Sequence, residues 1–347
     1  MHNVVKIPHG AGGHDEPSKS LAYTHCALSA CGEYFISLFA SRHLAGENDM
    51  CHRLLFTRKH TRTEDGEYKI MSLKSAKWLA SENSDRVVIV DCRYDLIDPA
   101  RARTDYSQAH IPGAHFADLE ADLCSPKGVH GGRHPLPSAR QFAELLSRCG
   151  WTQDKILIAY DSEGSGAAHF WWLCRYFGID EVGVLQGGFQ KWLNSGFPVS
   201  TENPKLPPSS VPELIPNPAL AVTRDFVLEH LGTLPLIDSR SHERYMGFHE
   251  PIDKIAGRIP GAYHFDYKEV YNLPGEYHPT KVLEHHFGEI ISRGESPIVY
   301  CGSGVSACAN VLALSLIGIP VLLYAGSFSD WISFTDSPIE RGEAHGI

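Results

Sequence analysis

The chain contains two copies of one pattern. Val88-Ile89-Val90-Asp91-Cys92-Arg93 is answered by Leu236-Ile237-Asp238-Ser239-Arg240, and Ile111-Pro112-Gly113-Ala114 by Ile259-Pro260-Gly261-Ala262. Further on, Ile158-Ala159-Tyr160-Asp161 is answered by Ile298-Val299-Tyr300-Cys301, and Gly188-Phe189-Gln190-Lys191-Trp192 by Ser327-Phe328-Ser329-Asp330-Trp331. The offset drifts from 147 and 148 in the early pairs to 140 and 139 in the late ones. Such drift marks a duplicated domain with loop insertions; a solenoid would repeat at a far shorter period. Within each copy, short continuous apolar runs alternate with amphipathic helical stretches. One helix is expected from Ser138 to Gly150, entered through Pro137. Strands of that kind belong in a parallel sheet covered on both faces. The expected fold class is therefore α/β, with two tandem doubly wound parallel-sheet domains.

The domains are expected at 71–199 and 219–347, joined by a stiff linker over 200–218 that carries Pro204, Pro207, Pro208, Pro212 and Pro216. Residues 1–70 match no part of the repeat and read as a disordered extension or a mis-called start, with Met71 as the true initiator. A net charge of -10 argues against nucleic-acid or membrane partners. Nothing in the sequence is apolar enough to span a bilayer or to open a secretory signal. Nine cysteines without framework spacing suit a reducing cytoplasm. Cys26, Cys31 and Cys51, with His25 and His52, fit no standard zinc spacing. No metal and no cofactor is expected.

The chemistry is concentrated in Val299-Tyr300-Cys301-Gly302-Ser303-Gly304-Val305-Ser306-Ala307-Cys308, an apolar strand that runs into a glycine loop and a helix. A Cys at such a junction faces a ring of backbone N–H groups and the positive end of a helix. That setting favours a thiolate, the nucleophilic form of sulfur. The plainer alternative is a glycine-rich turn around a merely buried Cys. At the corresponding place the first copy has Asp161, followed by Ser162-Glu163-Gly164-Ser165-Gly166, and a carboxylate cannot carry sulfur. The first domain is expected to be silent in its own loop and to lend side chains to its partner. Cys308 reads as a packed core Cys or as a resolving thiol for Cys301. Cys92, Cys149 and Cys174 read as core.

From about residue 72 onward the chain resembles the tandem-domain rhodanese family, specifically bacterial 3-mercaptopyruvate and thiosulfate sulfurtransferases. The resemblance is carried by His110-Ile111-Pro112-Gly113-Ala114, Gly131-Gly132-Arg133-His134-Pro135-Leu136-Pro137, Glu243-Arg244-Tyr245-Met246-Gly247 and Cys301-Gly302-Ser303-Gly304-Val305-Ser306-Ala307. It implies a nucleophilic Cys301 that takes sulfur as a persulfide, held by the loop Gly302, Gly304, Val305 and Ser306. It also implies a relay of Ser303 and His134 assisted by an acid, best aligned with Glu120 and next with Asp118. Arg244 matches the anchor for a substrate carboxylate. The family's second arginine is missing, because Glu250-Pro251-Ile252-Asp253 stands there. Arg258 is then a substitute anchor or half of a structural ion pair.

The implied partners are a small-molecule sulfur donor and a thiol acceptor such as thioredoxin. An uncharged Gly302-Ser303 favours 3-mercaptopyruvate, which carries one carboxylate, over the thiosulfate dianion. Thiosulfate:cyanide transfer is the alternative reaction, and a persulfide carrier or regulatory module the non-enzymatic one. No Arg follows Cys301 within the loop, which disfavours a phosphatase or arsenate reductase. A thiol hydrolase could also use Cys301 and His134, but the loop offers a ring of donors sized for one sulfur rather than an acyl pocket.

Overall fold

The computed structural model describes residues 72–82, 85–204 and 210–343. Met71, the Cys/His group at 25–52 and linker residues 205–209 lie outside the described residues. The first half contributes β1 (Leu73–Lys74), β2 (Val87–Asp91), β3 (His115–Phe116), β4 (Ile156–Tyr160) and β5 (Val182–Leu185). They form an all-parallel sheet in the order β1-β5-β4-β2-β3. The second half runs through β6 (Ala221–Val222), β7 (Leu236–Asp238), β8 (Tyr263–His264), β9 (Tyr271–Leu273), β10 (Glu276–Tyr277), β11 (Ile298–Tyr300) and β12 (Leu322–Tyr324). Its sheet is again parallel, ordered β6-β12-β11-β7-β8, while β9 and β10 form a separate antiparallel hairpin. The two strand orders are the same, so the duplication read from the sequence is a duplication of topology.

Local sequence explains the elements. Ile298-Val299-Tyr300 is buried along its whole length, as a central parallel strand covered on both faces must be. The helix expected between Ser138 and Gly150 spans Ala139–Arg148, and the Ser138 hydroxyl caps it by accepting from the Gln141 N–H at 3.2 Å. Helices Ser165–Tyr176 and Ala307–Leu316, which follow the two glycine loops, are apolar on nearly every side. Helices of that composition must be buried, and these two pack against each other across the domain junction.

Each domain repeats one buried polar network. Arg93 is bidentate on Asp91, and Arg240 on Asp238, with both pairs almost fully enclosed. Arg93 reaches on to the Ala109 carbonyl at 2.8 Å and Arg240 to the Gly257 carbonyl at 2.7 Å. The Tyr160 hydroxyl donates to Asp91 and accepts from the Ile111 N–H, and the Tyr300 hydroxyl accepts from the Ile259 N–H in the same way. The Asp-x-Arg pair thus ties the central strands to the Ile-Pro-Gly turn. Those three motifs recur together in the sequence because they are one structural unit.

Truncation of either arginine would leave a buried carboxylate without its counter-ion. Arg240→Ala is expected to cost about 3–5 kcal/mol in unfolding free energy, measured by urea denaturation. A loss below about 1 kcal/mol would remove the pair from its structural role.

Candidate active site

Cys301 directly follows β11 and is 1% exposed. Its Sγ accepts a hydrogen bond from the Gly304 N–H at 3.2 Å. Gly304 has φ +87°, and a Cβ there would lie 2.3 Å from the Ala325 carbonyl oxygen, so only glycine lets the loop turn its amide onto the sulfur. The Cys301 N–H donates to Ser327 Oγ at 3.1 Å, and that hydroxyl donates to the Tyr324 carbonyl. Ser327 sits at φ +55°, where the first domain has Gly188 at φ +53°. A side chain held in the left-handed region is strained, and here its oxygen fixes the nucleophile's own backbone.

The other half of the site comes from the first domain. Residues 130–134 lie on the second domain's 326–334 segment through several polar contacts. Gly131 N–H donates to Asp330 at 2.6 Å, Arg133 N–H to Ser329 Oγ at 3.0 Å, and the His130 ring stacks on Phe334. A Cβ on Gly132 would lie 2.4 Å from the Gly326 carbonyl oxygen, so the paired glycines permit this close approach. The result places His134 Nδ1 2.8 Å from Ser303 Oγ. Burial first, then Arg133 and Lys127, pull the imidazole down to about 4, against a smaller upward pull from Glu120. His134 is neutral at neutral pH and can accept a proton there.

Above Gly302 stand two guanidinium groups. A Cβ on Gly302 would come within 2.6 Å of Arg133 and 3.1 Å of Arg244. The space over the uncharged Gly302 is thus occupied by cations. They have internal counter-ions, since Asp253 pairs with Arg133 and, at 2.7 Å, with Arg244. Glu250 takes Arg244 Nε at 3.0 and 2.9 Å and also touches Arg240 at 3.4 Å. A cavity of about 110 Å³ opens beside this cluster, lined among others by Tyr94, Leu96, Glu120, Arg133, His134 and Ile252.

The structure brings together Cys301, Ser303, His134, Arg244 and the loop Gly302, Gly304, Val305 and Ser306. Arg258 is not with them. It is fully buried, bonded to the Tyr245 and Gly342 carbonyls and paired with Glu340, a residue that also bridges it backbone to backbone. It does in the second domain what His110 does in the first, where the imidazole ties Tyr106 to Glu202. Of the two readings the sequence left open, the structure shows the ion pair, with Glu340 as its partner. Glu120 lines the same cavity as His134, but it is half exposed and pairs with Lys127 at 3.4 Å. Asp118 is engaged by the backbone N–H groups of Glu120 and Ala121 and by Arg103. Neither carboxylate is hydrogen-bonded to His134, so Glu120 acts on it through its field alone.

Cys308 is buried and its thiol donates to the Gly304 carbonyl at 3.3 Å, a packing role. Burial, then the neighbouring Cys301, pushes that thiol well above its ordinary range. Cys92, Cys149 and Cys174 are likewise buried, with thiols raised chiefly by burial. Three residues escaped sequence reasoning. In the sequence Arg133 stands out only as a member of the Gly131-Gly132-Arg133-His134 motif, Ser327 only as the repeat partner of Gly188, and Asp253 only where an arginine is absent. The substitution of Gly188 by Ser327 between copies was the signal available for one of them.

The first domain's loop is filled by its own side chain. The Asp161 carboxylate occupies the amide ring itself, accepting from the N–H groups of Gly164, Gly166 and Ala167. Tyr271 and Gly275 of the second domain close over Gly164.

The Rhodanese-like domain model matches residues 75–195 and 223–334. A protein of Pseudomonas aeruginosa named as a 3-mercaptopyruvate sulfurtransferase is 39% identical over 282 residues, covering 78% of this chain and 98% of that protein. One of Mycobacterium tuberculosis named as a thiosulfate sulfurtransferase is 35% identical over 266 residues, covering 75% of this chain and 93% of its own length. Among solved structures, the 3-mercaptopyruvate sulfurtransferase SseA of Escherichia coli superposes with a TM-score of 0.66 at 32% identity, over 74% of this chain and 98% of that one. That of Leishmania major, at 24% identity, superposes with a TM-score of 0.69 over 77% of this chain and 76% of its own and shares the fold.

The lowered pKa of His134 carries a stability consequence. Between the ordinary 6.5 of the unfolded chain and about 4 in the folded one, the unfolded state binds a proton that the folded state refuses. Stability associated with this group is complete above pH 6.5 and is lost as pH falls through that window. The drop in Tm between pH 6.5 and 4 is expected to be smaller in His134→Asn than in the native chain, followed by circular dichroism.

Proposed function

This chain belongs to the rhodanese family, and we propose that it is a sulfurtransferase that draws sulfur from 3-mercaptopyruvate through a persulfide on Cys301. The observation that carries this reading is the placement of Arg133 and Arg244 over Gly302, beside a sulfur that the Gly304 amide addresses. Guanidinium groups suit a carboxylate, and the loop beneath them bears no charge of its own.

In the proposed reaction the Cys301 thiolate attacks the donor's thiol sulfur. An S–S bond forms and the donor's C–S bond breaks, its electron pair passing to carbon as the pyruvate enolate. The proton of the donor thiol travels through Ser303 and neutral His134 to that carbon, which yields pyruvate. The anionic persulfide is held by the loop amides. An acceptor thiolate then attacks the outer sulfur, returns the electron pair to Cys301 and leaves carrying the persulfide. Reduced thioredoxin is an acceptor of the right chemistry. Among the described residues no helix is long and apolar enough to cross a membrane. Six described cysteines are free thiols, which supports placement in the reducing cytoplasm.

Thiosulfate is the second reading, favoured by the presence of two cations rather than one at the sulfur. Pyruvate release from 3-mercaptopyruvate and sulfite release from thiosulfate, measured side by side, separate the two. Pyruvate is expected to dominate, to vanish in Cys301→Ser and to fall about 10²–10⁴-fold in kcat in His134→Ala. Dominant sulfite would transfer the assignment to thiosulfate. Neither product from a folded protein would reject enzymatic sulfur transfer.

A further inference from the structure

Asp253 and Glu250 both pair with Arg244 but are held in different ways. Glu250 is fixed by its surroundings. Besides Arg244 and Arg240, it accepts the backbone N–H groups of Ile252 and Asp253 at 3.0 and 2.9 Å. The Asp253 carboxylate has no backbone partner; one oxygen meets Arg133 and the other Arg244. That is the way a ligand carboxylate spans two guanidinium groups. Asp253 is 3% exposed, yet the segment that carries it has no regular secondary structure. Its neighbours Phe248 and Ile252 stand 70% and 47% exposed, and Ile252 forms a wall of the cavity beside His134. Cys301, 1% exposed, is not among that cavity's lining residues.

We propose that Asp253 is an internal stand-in for the donor's carboxylate, which displaces it from Arg133 and Arg244, and that the seat it vacates, with Glu250 retained, suits a monoanionic sulfur donor. The inference rests on the sulfurtransferase reading and specifies its substrate class. The charges decide the selectivity. With Asp253 in place, Arg133 and Arg244 are balanced by Asp253 and Glu250, and an arriving anion gains nothing. With Asp253 swung out and Glu250 retained, the seat carries one net positive charge. A single carboxylate restores neutrality, whereas a dianion would leave an excess negative charge beside the Cys301 thiolate, where burial makes like charges costly. Left without Asp253, the two cations would face each other. Burial, then Arg244, already holds the Arg133 guanidinium below its usual value. Arg133 therefore takes the place of the arginine that Glu250-Pro251-Ile252-Asp253 lacks, reaching in from the other domain.

The test measures binding and turnover separately. Pyruvate, an unreactive monocarboxylate, is titrated by calorimetry into the native protein, Asp253→Asn and Asp253→Ala, each checked for folding by circular dichroism. Both substitutions are expected to tighten pyruvate binding about tenfold or more. They are also expected to lower KM for 3-mercaptopyruvate and thiosulfate alike, since either variant carries the charge that the native site carries once Asp253 is displaced. Unchanged or weaker pyruvate binding in both folded variants would overturn the proposal and make Asp253 a fixed brace for the arginines. Because pyruvate binding does not depend on turnover, it still tests Asp253 if neither donor reacts, an outcome that would reject the sulfurtransferase reading instead.

Discussion

A single run of alternating charges connects the core of the second domain to the loop of the first. Asp238 holds Arg240, Arg240 touches Glu250, Glu250 holds Arg244, Arg244 meets Asp253, and Asp253 meets Arg133. The first two members are buried beneath the strands, and the last belongs to a different domain from the nucleophile. Arg240 and Arg244 are each flanked by two carboxylates and Arg133 meets one, so removal of one member exposes the next to an unbalanced low-dielectric charge. The reactive sulfur sits beside this run, under its last two cations. Positioning of Cys301, closure of the domain junction and the charge seen by a donor all depend on the same contacts.

The duplication is put to unequal use. Both domains carry the Asp-x-Arg pair, the tyrosine beneath it and the glycine loop in the same place. In the first domain the loop is filled by its own carboxylate at Asp161 and covered by Tyr271, so its amides have no ligand to seek. In the second, a sulfur takes that position and accepts from the Gly304 N–H. The first domain contributes outward instead, through Gly131-Gly132-Arg133-His134. The helices that follow the two loops pack against each other and lock the halves together. The second copy thus carries the sulfur, and the first forms a wall beside it and sets His134 against Ser303.

What was legible in the sequence was local or periodic. The strand Ile298–Tyr300 and the helix Ala307–Leu316 announce themselves by composition, and the repeat set the two sheets in register before any contact was known. Cys301, Ser303, His134 and Arg244 were found through motifs whose spacing survives in the chain. Contacts between distant residues were not legible. Arg258 stands next to Ile-Pro-Gly in the sequence, but its partner Glu340 lies far along the chain and buries it away from the site. Arg133 was hidden for the opposite reason, since its reach across the junction depends on Gly132 meeting Gly326. Asp253 was visible only as a missing arginine, because a carboxylate that imitates a ligand has no signature of its own.

The central claim is that sulfur passes through Cys301 and through no other thiol. Peptide mass spectrometry of the protein after brief exposure to 3-mercaptopyruvate, with free thiols blocked by alkylation, tests it directly. The account predicts one added sulfur atom on the peptide containing Cys301, located at that residue by fragmentation and removed by a thiol reductant. Added sulfur on Cys308, or on Cys92 of the first domain, would contradict it, as would unmodified Cys301 in a protein that still releases pyruvate.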